Sequence, residues 1–139
     1  MPERSRGKEQ INKAVQIEEF GGPEVLKTAE IPTPEAGENE VLIELRASGV
    51  NRFDILTSSG SYHGAGQPPI VPGIEGSGIV QEPGLTATGI SSGDRVLAFG
   101  ARPGFYAEYI AVPIRHVVKI PENLDWDSAA ALPVAPLSA

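Results

Sequence analysis

Residues 40–60 read EVLIELRASGVNRFDILTSSG, and two structural periods meet inside this stretch. Val41, Ile43, Leu45 and Ala47 alternate with Leu42, Glu44, Arg46 and Ser48, the period of two expected of a strand with one buried and one largely wet face. Gly49 ends the alternation. Asn51 and Asp54 then stand as an N-cap and an acidic N3 residue ahead of Ile55 and Leu56, so a short helix is expected to run to Ser59 and stop at Gly60.

Outward from this unit the chain is punctuated rather than periodic. Gly (16) and Pro (13) are spread along 139 residues instead of gathered in one linker, which indicates short strands joined by turns. Upstream, residues 1–12 carry charge without periodicity and are expected to be a flexible extension, with structure from Lys13. Ala14, Val15 and Ile17 form a short strand, the turn at Gly21, Gly22 and Pro23 leads to a run around Leu26, and IPTPEAGENE (31–40) is an extended connection.

Downstream, Pro72 and Gly73 make a turn, and Gly76 and Gly78 lie inside a β-rich run, where glycine marks a bulge or a close backbone approach. Strands are expected over Asp94–Phe99, Phe105–Val112 and His116–Ile120. Asp125 can cap a helix containing Trp126, Ala129, Ala130, Ala131 and Leu132, interrupted by Pro133 and Pro136. Six or seven short strands with one or two short helices give a mainly β fold, a compact barrel.

Length and charge narrow the function. A chain of 139 residues suits one domain, burying roughly two thirds of its unfolded surface. Eleven basic against 18 acidic residues give a net charge of -7, which disfavours nucleic acid and anionic membranes as partners. Cysteine is absent, which removes disulfides, thiolate nucleophiles and zinc sites built on sulfur. A zinc site would have to use His63, His116 and carboxylates. The polar start and the lack of a long apolar run imply a cytoplasmic protein.

The segments GVNRFD (49–54), VPGIEGSGIV (71–80), SGDRV (92–96), GFYAEYIAVP (104–113) and IPENLDWDSAAALPV (120–134) occur in one order. Together, over residues 13–139, they resemble the N-terminal, GroES-like domain of medium-chain dehydrogenases/reductases, in particular the zinc-free quinone oxidoreductase branch. The resemblance implies a GroES-like, partly open β-barrel over 13–128. It also implies that 129–139 begin the junction to a nucleotide-binding domain, with the chain end falling between domains. A homo-oligomer burying an apolar surface around Ala129–Leu137 is expected.

In zinc-dependent members a cysteine occupies the position of Asn51 and a histidine that of Ile74, so the resemblance implies no zinc, and Glu75 alone cannot replace those ligands. Hydride transfer from NADPH to a quinone or an α,β-unsaturated carbonyl is then the easier chemistry, because oxidising an alcohol calls for a Lewis acid. Charge develops on the substrate's carbonyl oxygen, and a hydrogen-bond donor must meet it. Tyr62, in SGSYHG, is the first candidate donor and Asn51 the second; the competing readings are loop packing for Tyr62 and helix capping for Asn51. Both would also border the cofactor, together with Ser138, which falls where relatives place a threonine near the nicotinamide. Leu56 stands where quinone reductases commonly have a further tyrosine.

Other conspicuous residues have plainer readings: Asp54 as a cap carboxylate, His63 as a solvated loop residue, Trp126 as a core anchor. The GIEGSG run lacks the strand, helix and ribose-binding acid of a dinucleotide fingerprint. Two rival functions share these features: reduction of enoyl thioesters, and a free-standing binding or assembly module on the same barrel.

Overall fold

The computed structural model describes residues 11–61, 66–100 and 102–131. Seven strands and two α-helices follow in the order β1 (Ile11–Gln16), β2 (Lys27–Pro32), β3 (Glu40–Ser48), α1 (Arg52–Ser59), β4 (Glu75–Pro83), β5 (Arg95–Phe99), β6 (Tyr109–Pro113), β7 (Val117–Lys119) and α2 (Trp126–Ala131). Five strands form one antiparallel sheet in the order β6-β3-β4-β5-β7, and β1 and β2 pair separately. The fold is mainly β and partly open, as expected of a GroES-like barrel.

β3 is an interior strand, paired with β4 on one side and β6 on the other. Val41 and Ile43 are fully buried, in one cluster with Val80, Val96, Ala98, Phe105 and Val112, and Leu45 packs against them. Leu42, expected on the wet face, is buried as well. The register against β4 shifts between Leu45 and Ala47, so that Leu45 faces Gly78 and Ala47 faces Ser77. Any side chain at Gly78 would strike the backbone carbonyl of Glu44, so the close approach anticipated for this glycine is real.

Two boundaries differ from expectation. β1 starts at Ile11, ahead of Lys13, because Asn12 is buried and acts as a surrogate strand partner. Its Oδ1 accepts from the Glu108 and Tyr109 N–H groups at 3.0 Å each, and its Nδ2 donates to the Tyr109 carbonyl at 3.1 Å. The strand expected over Phe105–Val112 is β6 only from Tyr109. The preceding residues bond elsewhere: the N–H groups of Phe105 and Tyr106 donate to Gly73 and Pro72, and Val15 donates to Tyr106. Residues 105–108 therefore tie β1 and the 72–73 turn to the sheet.

α2 forms as the Asp125 cap predicts, the Ser128 N–H donating to Asp125 Oδ1 at 2.7 Å. Ala129 and Ala130 are buried against the sheet, within the stretch expected to begin an interdomain junction with an apolar surface. Residues 132–137 of that expected surface lie outside the described residues. Trp126 anchors α2: its carbonyl accepts from Ser77 Oγ at 2.7 Å, and the Arg95 guanidinium sits 4.2 Å above its ring. Among the described residues no helix is long and apolar enough to cross a membrane.

Candidate functional site

Asn51 lies between the end of β3 and the start of α1, beside the first residue of β4. Its backbone is extended and α1 begins at the next residue. A capping box joins Asn51 and Asp54, the Asn51 N–H donating to Asp54 Oδ2 at 2.8 Å. The Asn51 side chain reaches the other way, Nδ2 donating to Glu75 Oε2 at 2.8 Å. Asn51 is thus held between two carboxylates, Asp54 at 7% exposure and Glu75 at 3%.

Asp54 is more than a cap. The Tyr106 hydroxyl donates to the same Oδ2 at 2.6 Å, drawing the 104–108 crossing onto the head of α1. Asp54 Oδ1 is buried without a hydrogen-bond partner among the described residues. Burial, and then the hydrogen bond and negative charge of Asp54, push the Tyr106 phenol well above its ordinary value, so it stays protonated and donates.

Exposed apolar side chains, and the exposed Arg52 among them, lie in the segments next to this cluster. Val50 is 83% exposed and Ile55 65%, with Leu56 also exposed on α1. Ile74, immediately before Glu75, is buried and offers no ligand atom. Among the described residues no three His, Cys, Asp or Glu side chains converge as a metal site. The geometry therefore offers an oriented carboxamide between buried carboxylates, next to a water-facing apolar ledge.

Of the expected site residues, Asn51 takes this position, while Tyr62 and Ser138 lie outside the described residues. Glu75 as the partner of Asn51, and Tyr106 as the partner of Asp54, are not anticipated from the sequence. Their contacts join residues 24 and 52 positions apart in sequence, so only the β3–β4 register and the 104–108 crossing bring them together. Asp54 was anticipated as the cap, and its polarity three residues after an N-cap asparagine was the signal.

The model of the alcohol dehydrogenase GroES-like domain family matches residues 37–122. A quinone oxidoreductase of Lama guanicoe is 35% identical over 127 residues, covering 91% of this chain and 38% of the relative. The chain thus spans well under half the length of this relative. Among solved structures, the human synaptic vesicle membrane protein VAT-1 homolog-like protein superposes with a TM-score of 0.86 at 34% identity, over 90% of this chain and 40% of that one. An Escherichia coli quinone oxidoreductase complexed with NADPH gives 0.82 at 30% identity, over 86% and 36%. With the matched motifs, the barrel and the family model in agreement, the chain belongs to the alcohol dehydrogenase GroES-like domain family and is similar to quinone oxidoreductases over part of their length.

Proposed function

We propose that this chain is the substrate-side domain of a zinc-independent, NADPH-dependent oxidoreductase that delivers hydride to quinones or α,β-unsaturated carbonyls. The observation that carries the reading is the Asn51 carboxamide gripped by Glu75 beside the exposed Val50, Ile55 and Leu56. A planar, largely apolar substrate suits the ledge, and a fixed N–H suits the oxygen on which charge develops. The relatives named quinone oxidoreductase point to the same substrate class.

The residues present fit the nicotinamide end of the cofactor better than its phosphates. Asn51 supplies a polar edge beside apolar surface, whereas the sequence has no glycine-rich turn between a strand and a helix to cradle a pyrophosphate. We therefore assign the phosphate-binding part to sequence beyond these 139 residues, and the chain by itself is expected to be inactive. NADPH, when bound, supplies the hydride. The chain's part is to orient: Asn51 through its amide and Tyr62 through its hydroxyl donate to the substrate's carbonyl oxygen, and Ser138 borders the cofactor.

The donor set supports zinc independence. Asn51 turns its amide nitrogen, a non-ligating atom, to Glu75, Ile74 is apolar, and the sequence holds no sulfur ligand. The same reading has the protein act in the cytoplasm as a homo-oligomer on a small molecule, with neither nucleic acid nor membrane as partner.

The test is NADPH oxidation by the full-length protein with a panel of quinones and enones, alongside metal analysis after dialysis. Tyr62→Phe is expected to lower kcat/KM by roughly 10- to 1000-fold at nearly unchanged cofactor affinity, as removal of an oxyanion donor does. Wild-type kcat/KM in Tyr62→Phe, with the chemical step limiting, would make Tyr62 a packing residue. One tightly held zinc per chain would overturn the zinc-free assignment.

A further inference from the structure

We infer that Glu75 is a positioning residue that sets which end of the Asn51 carboxamide is offered to a ligand, an inference that rests on the reductase reading only for its kinetic consequence. The oxygen and nitrogen ends of an asparagine side chain are nearly the same size, so packing alone does not choose between them. An ionised carboxylate does choose, because it only accepts hydrogen bonds. With Glu75 Oε2 2.8 Å from the Asn51 amide, the atom facing it must be Nδ2. One Nδ2 hydrogen is taken by Glu75, which leaves the second for another acceptor. Asn51 is thereby set up to donate from that second hydrogen.

Gly49 is the third part of this device. Its N–H donates to the Glu75 backbone carbonyl at 3.1 Å, which seats the start of β4 against the end of β3. A Cβ at Gly49 would collide with Glu75 Oε2 and stand 2.7 Å from both Cγ and Cδ of the same side chain. Gly49 does not adopt a left-handed backbone, so the need for glycine here comes from the Glu75 carboxylate and not from the turn. Burying a carboxylate is costly, and a glutamine would fill the same volume. What glutamine would not do is fix the direction of the hydrogen bond, since it can present either an acceptor or a donor to Asn51.

The experiment compares Glu75→Gln and Gly49→Ala, each alone and combined with Asn51→Ala. One readout is the side-chain amide ¹⁵N–¹H pair of Asn51, which needs no turnover. In the wild type one hydrogen of the pair should be shifted downfield by the charge-assisted bond, and both Glu75→Gln and Gly49→Ala should return it toward the free-amide position. The second readout is kcat/KM for 1,4-naphthoquinone with NADPH in the full-length protein. Glu75→Gln should lower it about 10-fold, as loss of one hydrogen bond to a charged group does, and should have no further effect once Asn51 is alanine.

A purely structural Glu75 would give multiplying losses instead, and that result overturns the inference. So does an Asn51 amide pair unmoved by Glu75→Gln. Gly49→Ala keeps the claim testable if Glu75→Gln fails to fold, because it leaves the carboxylate in the sequence and only displaces it. If the wild type reduces no quinone at all, the reductase reading fails while the amide resonance still decides the role of Glu75.

Discussion

Removing the Tyr106 hydroxyl tests whether the 104–108 crossing is fastened to α1 by the bond to Asp54. In Tyr106→Phe the ring keeps its packing, and Asp54 Oδ2 retains only the Asn51 N–H, at 2.8 Å, in place of two donors. A hydrogen bond to a charged group contributes about 1.5–3 kcal/mol net, and since Tyr106 is only partly buried the lower part of that range applies, about 2 kcal/mol. For a domain of this size that corresponds to a fall in Tm of about 8 °C. The pH dependence has a definite sign. The folded phenol titrates above its ordinary value of 10.0, so its stabilising contribution is complete below pH 10.0 and is lost as pH rises beyond it. The gap between wild type and variant should be full at about pH 7 and narrower at about pH 11. Denaturant unfolding of both proteins at the two pH values measures it. A gap under about 0.5 kcal/mol at neutral pH, no more than an ordinary surface substitution gives, would refute the fastening role, as would a gap that widens with pH.

Gly78→Ala should destabilise the sheet by about 1–3 kcal/mol, since the new methyl meets the Glu44 carbonyl and not a movable side chain, and a change within about 0.5 kcal/mol in denaturant unfolding would show that β3 can yield there. Arg95→Lys should lose the stack on Trp126 and the two guanidinium bonds to the Pro121 and Leu124 carbonyls, both 2.8 Å, so the fluorescence of the single tryptophan should shift to longer wavelength; an unchanged spectrum would mean that the stack does not shield the ring. Asp125→Ala should lower Tm at neutral pH. The Ser128 N–H holds the Asp125 carboxylate below its ordinary pKa of 3.8, so its contribution is present above that value and lost as pH falls through the depressed one; equal melting of the two proteins at neutral pH would remove Asp125 as the α2 cap.

What could be read from the sequence was what local chemistry decides. The alternation over residues 40–48 placed Val41 and Ile43 in the core, and the Asn51–Asp54 spacing gave α1 its start and Gly60 its end, because strand period and capping both act within a few residues. Gly76 and Gly78 announced a close approach since few other roles suit two glycines inside a β-rich run. The failures share one cause, which is pairing with a distant partner. Asn12 looked like part of a polar leader, yet it completes the sheet's hydrogen bonding to Glu108 and Tyr109 from nearly the other end of the chain. Phe105–Glu108 has the composition of a strand, yet its backbone bonds go to Pro72, Gly73 and β1, while the Glu108 carbonyl accepts from Leu45 of β3.

The site divides along the same line. Asn51 is legible as a capping residue, and its amide as a donor through the family resemblance. The atom that disciplines that amide, Glu75 Oε2, was dismissed at the sequence level as a lone carboxylate with no ligand set to join. Its importance appears only when Gly78 lets β4 close on β3 and Gly49 leaves room for the side chain to cross behind Asn51. Tyr106 repeats the pattern on the opposite side, meeting Asp54 through a crossing whose path is fixed by backbone bonds to Pro72 and Gly73. A polar residue's own position in sequence therefore tells which hydrogen bonds it can make locally, while the glycines around it tell where the fold allows a distant carboxylate to approach. Here those glycines lie in GVNRFD and VPGIEGSGIV, two segments whose meeting places Asn51 and Glu75 in contact.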